Sequence, residues 1–170
     1  MVIMFDIETT GLSPYNCKVI LVGIKKGGKI KQWKLWEMKD EAKLILQAIE
    51  ELMKVDETIV GYNNLRFDVP FMLERLRLLG KWKQEYYEIY YKKWFDLYQY
   101  LGNDFRSLKL WLIRGGIERD YPELDGRDMP QAFERGEYDK IEQHNKDDLN
   151  TSEKLFYFLK KINPELITFE

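Results

Sequence analysis

Asp6 and Glu8 stand two residues apart in the string FDIETTG, near the start of this 170-residue chain. Residues 2–6 (VIMFD) form an apolar run of the kind found in buried strands, and side chains two apart in a strand share a face. Both carboxylates therefore project from one side at the strand's end, where such oxygen donors suit a hard divalent cation. An acid pair at a strand end is by itself more often solvated than functional. Here Thr9, Thr10 and Gly11 follow at once as a tight turn, which leaves backbone beside the acids uncovered for close approach by a substrate. Two distant positions carry further chemistry-bearing groups. Asp68 opens a helical pattern and, taken alone, reads as a helix cap. His144, the only histidine, lies four residues before Asp148, a spacing that puts both on one face of a helix.

Three strings, FDIETTG, GYNNLRFD at 61–68 and HNKDDL at 144–149, occur in that order along the chain. Together they resemble the motifs of the DEDD superfamily of 3′–5′ exonucleases, and the stretch from Glu123 to Phe156 resembles the branch related to the proofreading domain of family B DNA polymerases. The resemblance spans Met1 to about Phe158. It implies a ribonuclease H-like fold and two divalent ions, Mg²⁺ or Mn²⁺, held by Asp6, Glu8, Asp68 and Asp148. Two ions ~3.5–4 Å apart would activate the attacking water and steady the leaving oxygen, releasing nucleoside 5′-monophosphates from the 3′ end of single-stranded DNA or RNA. By the same resemblance Thr9, Gly11 and Leu12 present backbone and an apolar wedge to the terminal nucleotide. Tyr62, Asn63 and Phe67 belong to the second motif; the two rings could stack on bases or belong to the core. Asp148 is the expected ligand on the last helix, with Asp147, about 100° around that helix, solvated and the lesser alternative. The departure is His144 where the spacing matches the Tyr subclass. An imidazole with an ordinary pKa near ~6.5 can accept a proton from water at neutral pH, whereas a tyrosine near ~10 could only orient that water. An endonuclease or structure-specific ribonuclease using the same acids, an inactive nucleic-acid-binding relative and a two-metal nucleotide phosphatase are the rival readings.

The elements that must position these residues are legible in outline. Apolar KVILVGI at 18–24 and alternating IKQWKLW at 30–36 flank the turn at Gly27-Gly28 and predict two more strands. Asp40 is placed to cap a helix carrying Ala42, Ile45, Leu46, Ile49 and Met53. TIVG at 58–61 predicts a fourth strand, and the helix from Asp68 ends at Gly80. The aromatic stretch 82–100 gives a fifth strand only at Trp94-Phe95 and otherwise suits an interface. A short helix at 107–114, loop density over 115–130 and a last helix from about Lys140 to Lys161 complete the pattern. No repeat or linker interrupts it, so the prediction is a single α/β domain over residues 1–170, with a mixed central sheet of about five strands flanked by helices.

Composition narrows the setting. With 27 basic and 29 acidic residues the net charge is −2, unlike proteins that grip long duplexes through phosphates. Contacts with nucleic acid should be short, local and helped by cations. Lys25, Lys26, Lys29, Lys31 and Lys34 around the hairpin, with Lys92 and Lys93, could follow phosphates but more simply form a solvated face. One cysteine, Cys17, excludes an internal disulfide, fits a reducing cytosol and leaves no Cys/His cluster for zinc. No apolar run approaches the ~20 residues of a membrane span, and the basic start of a signal peptide is missing. A cytoplasmic protein without membrane contact is expected; the sequence names no protein partner.

Overall fold

A computed structural model of the chain describes residues 1–167. Strands β1 (Val2–Thr9), β2 (Val19–Lys26) and β3 (Lys29–Lys34) run as an antiparallel meander, while β4 (Thr58–Gly61) and β5 (Trp94–Asp96) extend β1's other edge in parallel. The order across the sheet is β3-β2-β1-β4-β5. Helices α1 (Leu35–Met38), α2 (Glu41–Met53), α3 (Asp68–Leu78), α4 (Leu97–Tyr100), α5 (Phe105–Gly115), α6 (Met129–Glu134) and α7 (Tyr138–Ile162) flank it. This is the ribonuclease H-like α/β arrangement that the motifs implied.

The two faces of β1 separate the layers. Ile3, Phe5 and Ile7 are buried against Leu44, Ile45, Ala48 and Ile49 of α2 and Val69 and Met72 of α3. Met4, on the opposite face, packs with Leu149, Leu155, Phe156 and Leu159 of α7. Alternation along one strand thus sends the odd residues into one core and turns the even ones, Asp6 and Glu8 included, toward α7. Asp40 caps α2 by accepting the Lys43 N–H at 3.0 Å, as its position predicted.

Three elements differ from the sequence reading. The alternating run ends as strand at Lys34 and turns into α1, because Leu35 and Trp36 pack with Met129, Ala132 and Tyr138 rather than continuing the ladder. The 115–130 region closes with a 3₁₀ turn at Gly126–Asp128 and the start of α6. Pro130, a loop signal by composition, instead occupies the first turn of that helix, where its missing N–H costs nothing. The aromatic stretch folds as a 3₁₀ helix over Gln84–Tyr91, a conformation whose three-residue repeat leaves no 3.6 period to read.

Candidate functional site

Asp6, Gly23 and Gln32 lie in register across β1, β2 and β3. Gly23 has no side chain, so Asn145 of α7 settles over it: a Cβ there would come within 2.0 Å of Asn145 Oδ1 and 2.9 Å of a Leu149 methyl. Gln32 Nε2 donates to Asn145 Oδ1 at 2.9 Å, and Asn145 Nδ2 donates to Asp6 Oδ2 at 2.7 Å. The amide is thereby oriented by one neighbour and fixes the carboxylate of the other. At the residue immediately before Asn145, His144 Nδ1 is 2.8 Å from Glu8 Oε1 and 3.6 Å from Asp148 Oδ2. The ligand atoms of Glu8, His144 and Asp148 all lie within 4.8 Å of one another.

Asp68 arrives from the other side of the sheet. It begins α3, and its Oδ1 accepts the N–H of Ile7 at 3.0 Å, between the two acids of β1. The preceding loop is drawn against the sheet by Asn64, whose Nδ2 donates to Phe5 O at 3.2 Å. Gly61 makes this approach possible, since a Cβ there would sit 1.7 Å from Asn64 Oδ1. Asp96, at the end of β5, accepts the N–H groups of Asn63 at 2.9 Å and Leu65 at 3.2 Å. The loop that carries the second motif is therefore held at both ends, with Asn63 in a left-handed conformation (φ 66°) between.

Burial and crowding set the electrostatics. Asp6 is pushed well above the usual carboxylate range, first by burial and then by the charges of Glu8, Asp148 and Asp68. All four predicted acids are thus felt at one carboxyl. Burial likewise raises Asp68 to about 7, against the pull of the Ile7 amide, and raises Glu8 despite its hydrogen bond to His144. Burial alone would depress His144, but the hydrogen bond and charge of Glu8, with Asp148 adding to them, lift it to about 9. His144 accordingly holds a proton against Glu8 at neutral pH, which corrects the expectation of an imidazole with an ordinary pKa. A set of half-compensated buried carboxylates with one imidazole beside them fits a hard divalent cation, which would relieve the repulsion that protons now relieve.

A cleft of about 350 Å³ is lined by Asp6, Glu8, Thr9, Leu12, Tyr62, Asn63, Phe67, Asp68, His144 and Asp148. Gly11 is the candidate outside it: the Thr9 hydroxyl donates to its carbonyl at 2.7 Å, and a Cβ there would come within 2.7 Å of Cys17 Sγ. Leu12 is 85% exposed at the rim. Tyr62 is half-buried, set edge-on to the ring of Tyr98. Phe67 meets both alternatives, since it packs on Phe71 at the edge of the core and also lines the cleft.

Asp147 is not solvated. It is 1% exposed, and it accepts hydrogen bonds from Arg119 Nε at 2.8 Å, the Asp120 N–H at 2.8 Å and the Thr151 hydroxyl at 3.3 Å. Asp147 points away from Asp148 around the helix, but the loop before α6 folds over that side of α7 and buries it. Arg119, from this loop, also bonds Asp148 Oδ1 through its other nitrogen and lines the cleft. Nothing in the sequence marked Arg119, Asn145 or Asp96, because each works through a partner distant in the chain. Gly126 was equally unmarked: it lines the cleft beside the ring of His144. The hairpin lysines are also more committed than a solvated face implies. Lys25 is buried and paired with Glu153, Lys34 with Glu142, and Lys31 with Glu51; Lys92 donates to Met53 O at 2.8 Å.

Comparison with known proteins agrees with this architecture. A family model described as the RNase H superfamily matches residues 3–160. DNA polymerase 2 of Aeropyrum pernix is 36% identical over 85 residues, covering 46% of this chain and 10% of the polymerase. The family B DNA polymerase of the hyperthermophilic archaeon Pyrobaculum calidifontis superposes with a TM-score of 0.75 at 22% identity, over 98% of this chain and 25% of that one. The zinc-ion-bound E. coli ExoI–ssDNA complex gives 0.64 at 13% identity, over 99% of this chain and 42% of that one. The chain thus spans less than half the length of these relatives. No helix among the described residues is long and apolar enough to cross a membrane.

Proposed function

The chain belongs to the RNase H superfamily, and from that footing we propose that it is a metal-dependent 3′–5′ exonuclease, acting as one domain on the ends of single-stranded nucleic acid and releasing nucleoside 5′-monophosphates. The observation that carries the proposal is the convergence on one cleft of carboxylates from β1, the start of α3 and the middle of α7. DNA is the favoured strand, because the similar proteins are DNA polymerases and an exonuclease bound to ssDNA.

Asp6, Glu8, Asp68 and Asp148 would hold two Mg²⁺ or Mn²⁺ ions. When bound, such ions lower the pKa of a coordinated water and stabilise charge on the attacking and leaving oxygens of a phosphodiester. The chain's own residues do the rest. Asn145 and the Ile7 amide keep Asp6 and Asp68 in fixed orientations, so little reorganisation is needed when charge develops. His144 projects Nδ1 toward Glu8 and Asp148, where the protonated imidazole would position the attacking water. Leu12, at the rim, separates the last base from the one before it, and the Thr9–Leu12 turn receives the terminal nucleotide.

End-labelled single strands of DNA and RNA, incubated with Mg²⁺, Mn²⁺ or chelator, test this reading. We expect stepwise shortening from the 3′ end with either metal, none in chelator and none with Asp6→Ala. Cleavage of a circular single strand would favour an endonuclease, and activity that persists in chelator would overturn the metal mechanism.

A further inference from the structure

A second hollow of about 720 Å³ opens beside the cleft, and Leu12 and Phe67 line both. One wall carries Phe67 and Phe71, whose rings are 5.4 Å apart. The facing wall comes from the aromatic stretch: Trp82 meets Tyr87 edge-on at 5.8 Å, and Tyr87 stacks on Tyr90 at 6.1 Å. Tyr87 remains 47% exposed. These rings touch one another and are partly open, and they line a space that shares Leu12 and Phe67 with the cleft.

The charges have a matching arrangement. Arg66 is exposed at the mouth, one residue before Phe67, and among the described residues no carboxylate pairs with it. Farther along, Glu74 is neutralised by a two-pronged pair with Arg77 at 2.8 and 2.6 Å. The groove thus offers several aromatic faces and one uncommitted cation, Arg66, next in sequence to the Phe67 that lines both hollows. Aromatic platforms with an accompanying cation are how proteins hold single strands without regard to sequence. They also suit a chain with net charge −2, in which phosphate attraction alone would be weak.

We propose that this groove is the track for the single DNA strand whose 3′ end the cleft holds, with bases upstream of Leu12 stacked on Tyr87 and its neighbours and Arg66 on the first phosphate beyond the rim. The proposal rests on the reading of the cleft as a nuclease site and adds to it a length requirement: a substrate engages fully only when it is long enough to pass Leu12 and enter the groove.

The test measures binding of 5′-labelled oligothymidylates, two to six nucleotides long, by fluorescence anisotropy in chelator, where nothing is cut. The wild-type affinity should rise at least about fivefold as the strand lengthens to reach the first platform. Tyr87→Ala should flatten that rise. Arg66→Ala should lower the overall salt dependence by about one phosphate, a slope of ~0.7 on logarithmic axes. Both replaced side chains are substantially exposed, and circular dichroism confirms folding. Tyr91→Ala, at a ring 87% exposed and outside the groove, should keep the wild-type rise. A flat wild-type series, a rise untouched by Tyr87→Ala, or an equal loss in Tyr91→Ala would overturn the proposal. Hydrolysis of the p-nitrophenyl ester of thymidine 5′-phosphate with Mn²⁺ by the wild type needs no groove. Its failure counts against the cleft reading alone, leaving the length series to judge the groove.

Discussion

Replacing Asp68 by asparagine should stabilise the ion-free protein at neutral pH while abolishing its response to metal. Asp68 is 3% exposed and lifted from 3.8 to about 7, chiefly by burial. The sign follows from proton binding. Between pH 3.8 and 7 the unfolded chain has ionised this group and the folded chain has not, so the folded state binds the extra proton and loses stability as pH rises. Each unit contributes ~1.36 kcal/mol. The loss is therefore on the order of 4 kcal/mol in full, of which roughly 3 kcal/mol accrues between pH 5 and 7 and little beyond. An asparagine carbonyl can still accept the Ile7 N–H, which is 3.0 Å from Asp68 Oδ1, but it has no charge to bury. Removing it also relieves Asp6, which feels the Asp68 charge. Urea unfolding in chelator at pH 5 and pH 8 measures the effect: Asp68→Asn should exceed the wild type by at least ~2 kcal/mol more at pH 8 than at pH 5. Metal added at one hundred times its Kd should stabilise the wild type by ~2.7 kcal/mol and the variant far less. A variant equally destabilised at both pH values would show that Asp68 is an ordinary structural carboxylate, and the argument from burial would fail.

His144, the single histidine, should titrate near 9 in the ion-free protein by NMR, and Glu8→Gln should lower it, because burial is then opposed only by the charge of Asp148. Its contribution to stability is complete below about pH 6.5 and lost as pH climbs through 9; a midpoint near 6.5 in the ion-free wild type would refute the pairing. Arg119→Gln should tighten Mn²⁺ binding in calorimetry, since a guanidinium no longer competes for Asp148, and unchanged or weaker binding would deny that competition. Gly23→Ala should cost about 1–3 kcal/mol by overpacking and also weaken Mn²⁺ binding, because α7 must move off β1 to clear the Cβ; a full stability loss with intact metal affinity would separate the two.

What could be read from the sequence depended on how far apart the cooperating groups lie. The i,i+2 pair Asp6 and Glu8 and the i,i+4 pair His144 and Asp148 are local geometry, and each pair shares a face as its spacing required. The β1–β2–β3 meander and the caps were legible for the same reason. The same local rule fails at Asp147: helical angle tells which way a side chain points but not what covers it. The cover is the segment before α6, a stretch of Gly, Pro and Asp with no periodicity, which reads as solvent-exposed loop until Asp147 is seen gathering the N–H groups of Asp120 and Tyr121 beneath it.

Arg119 and Asp147 give the acid cluster a counter-charge of a different kind from its protons. The guanidinium bridges Asp147, which stays buried, and Asp148, which faces the cleft. Because Asp147 also collects two backbone N–H groups and a hydroxyl, it can hold Arg119 in place whether or not Asp148 is engaged. A cation binding at Asp148 would therefore displace one arm of the arginine and leave the other anchored, with its charge still at the cleft wall. Asp147→Asn tests this step. It should weaken the anchor and let Arg119 follow Asp148 alone, so that Mn²⁺ affinity falls relative to the wild type, and restoring it with Arg119→Gln in the same chain would identify the arginine as the cause. If the double variant binds no better than Asp147→Asn, the two carboxylates do not share Arg119 in the way the geometry implies.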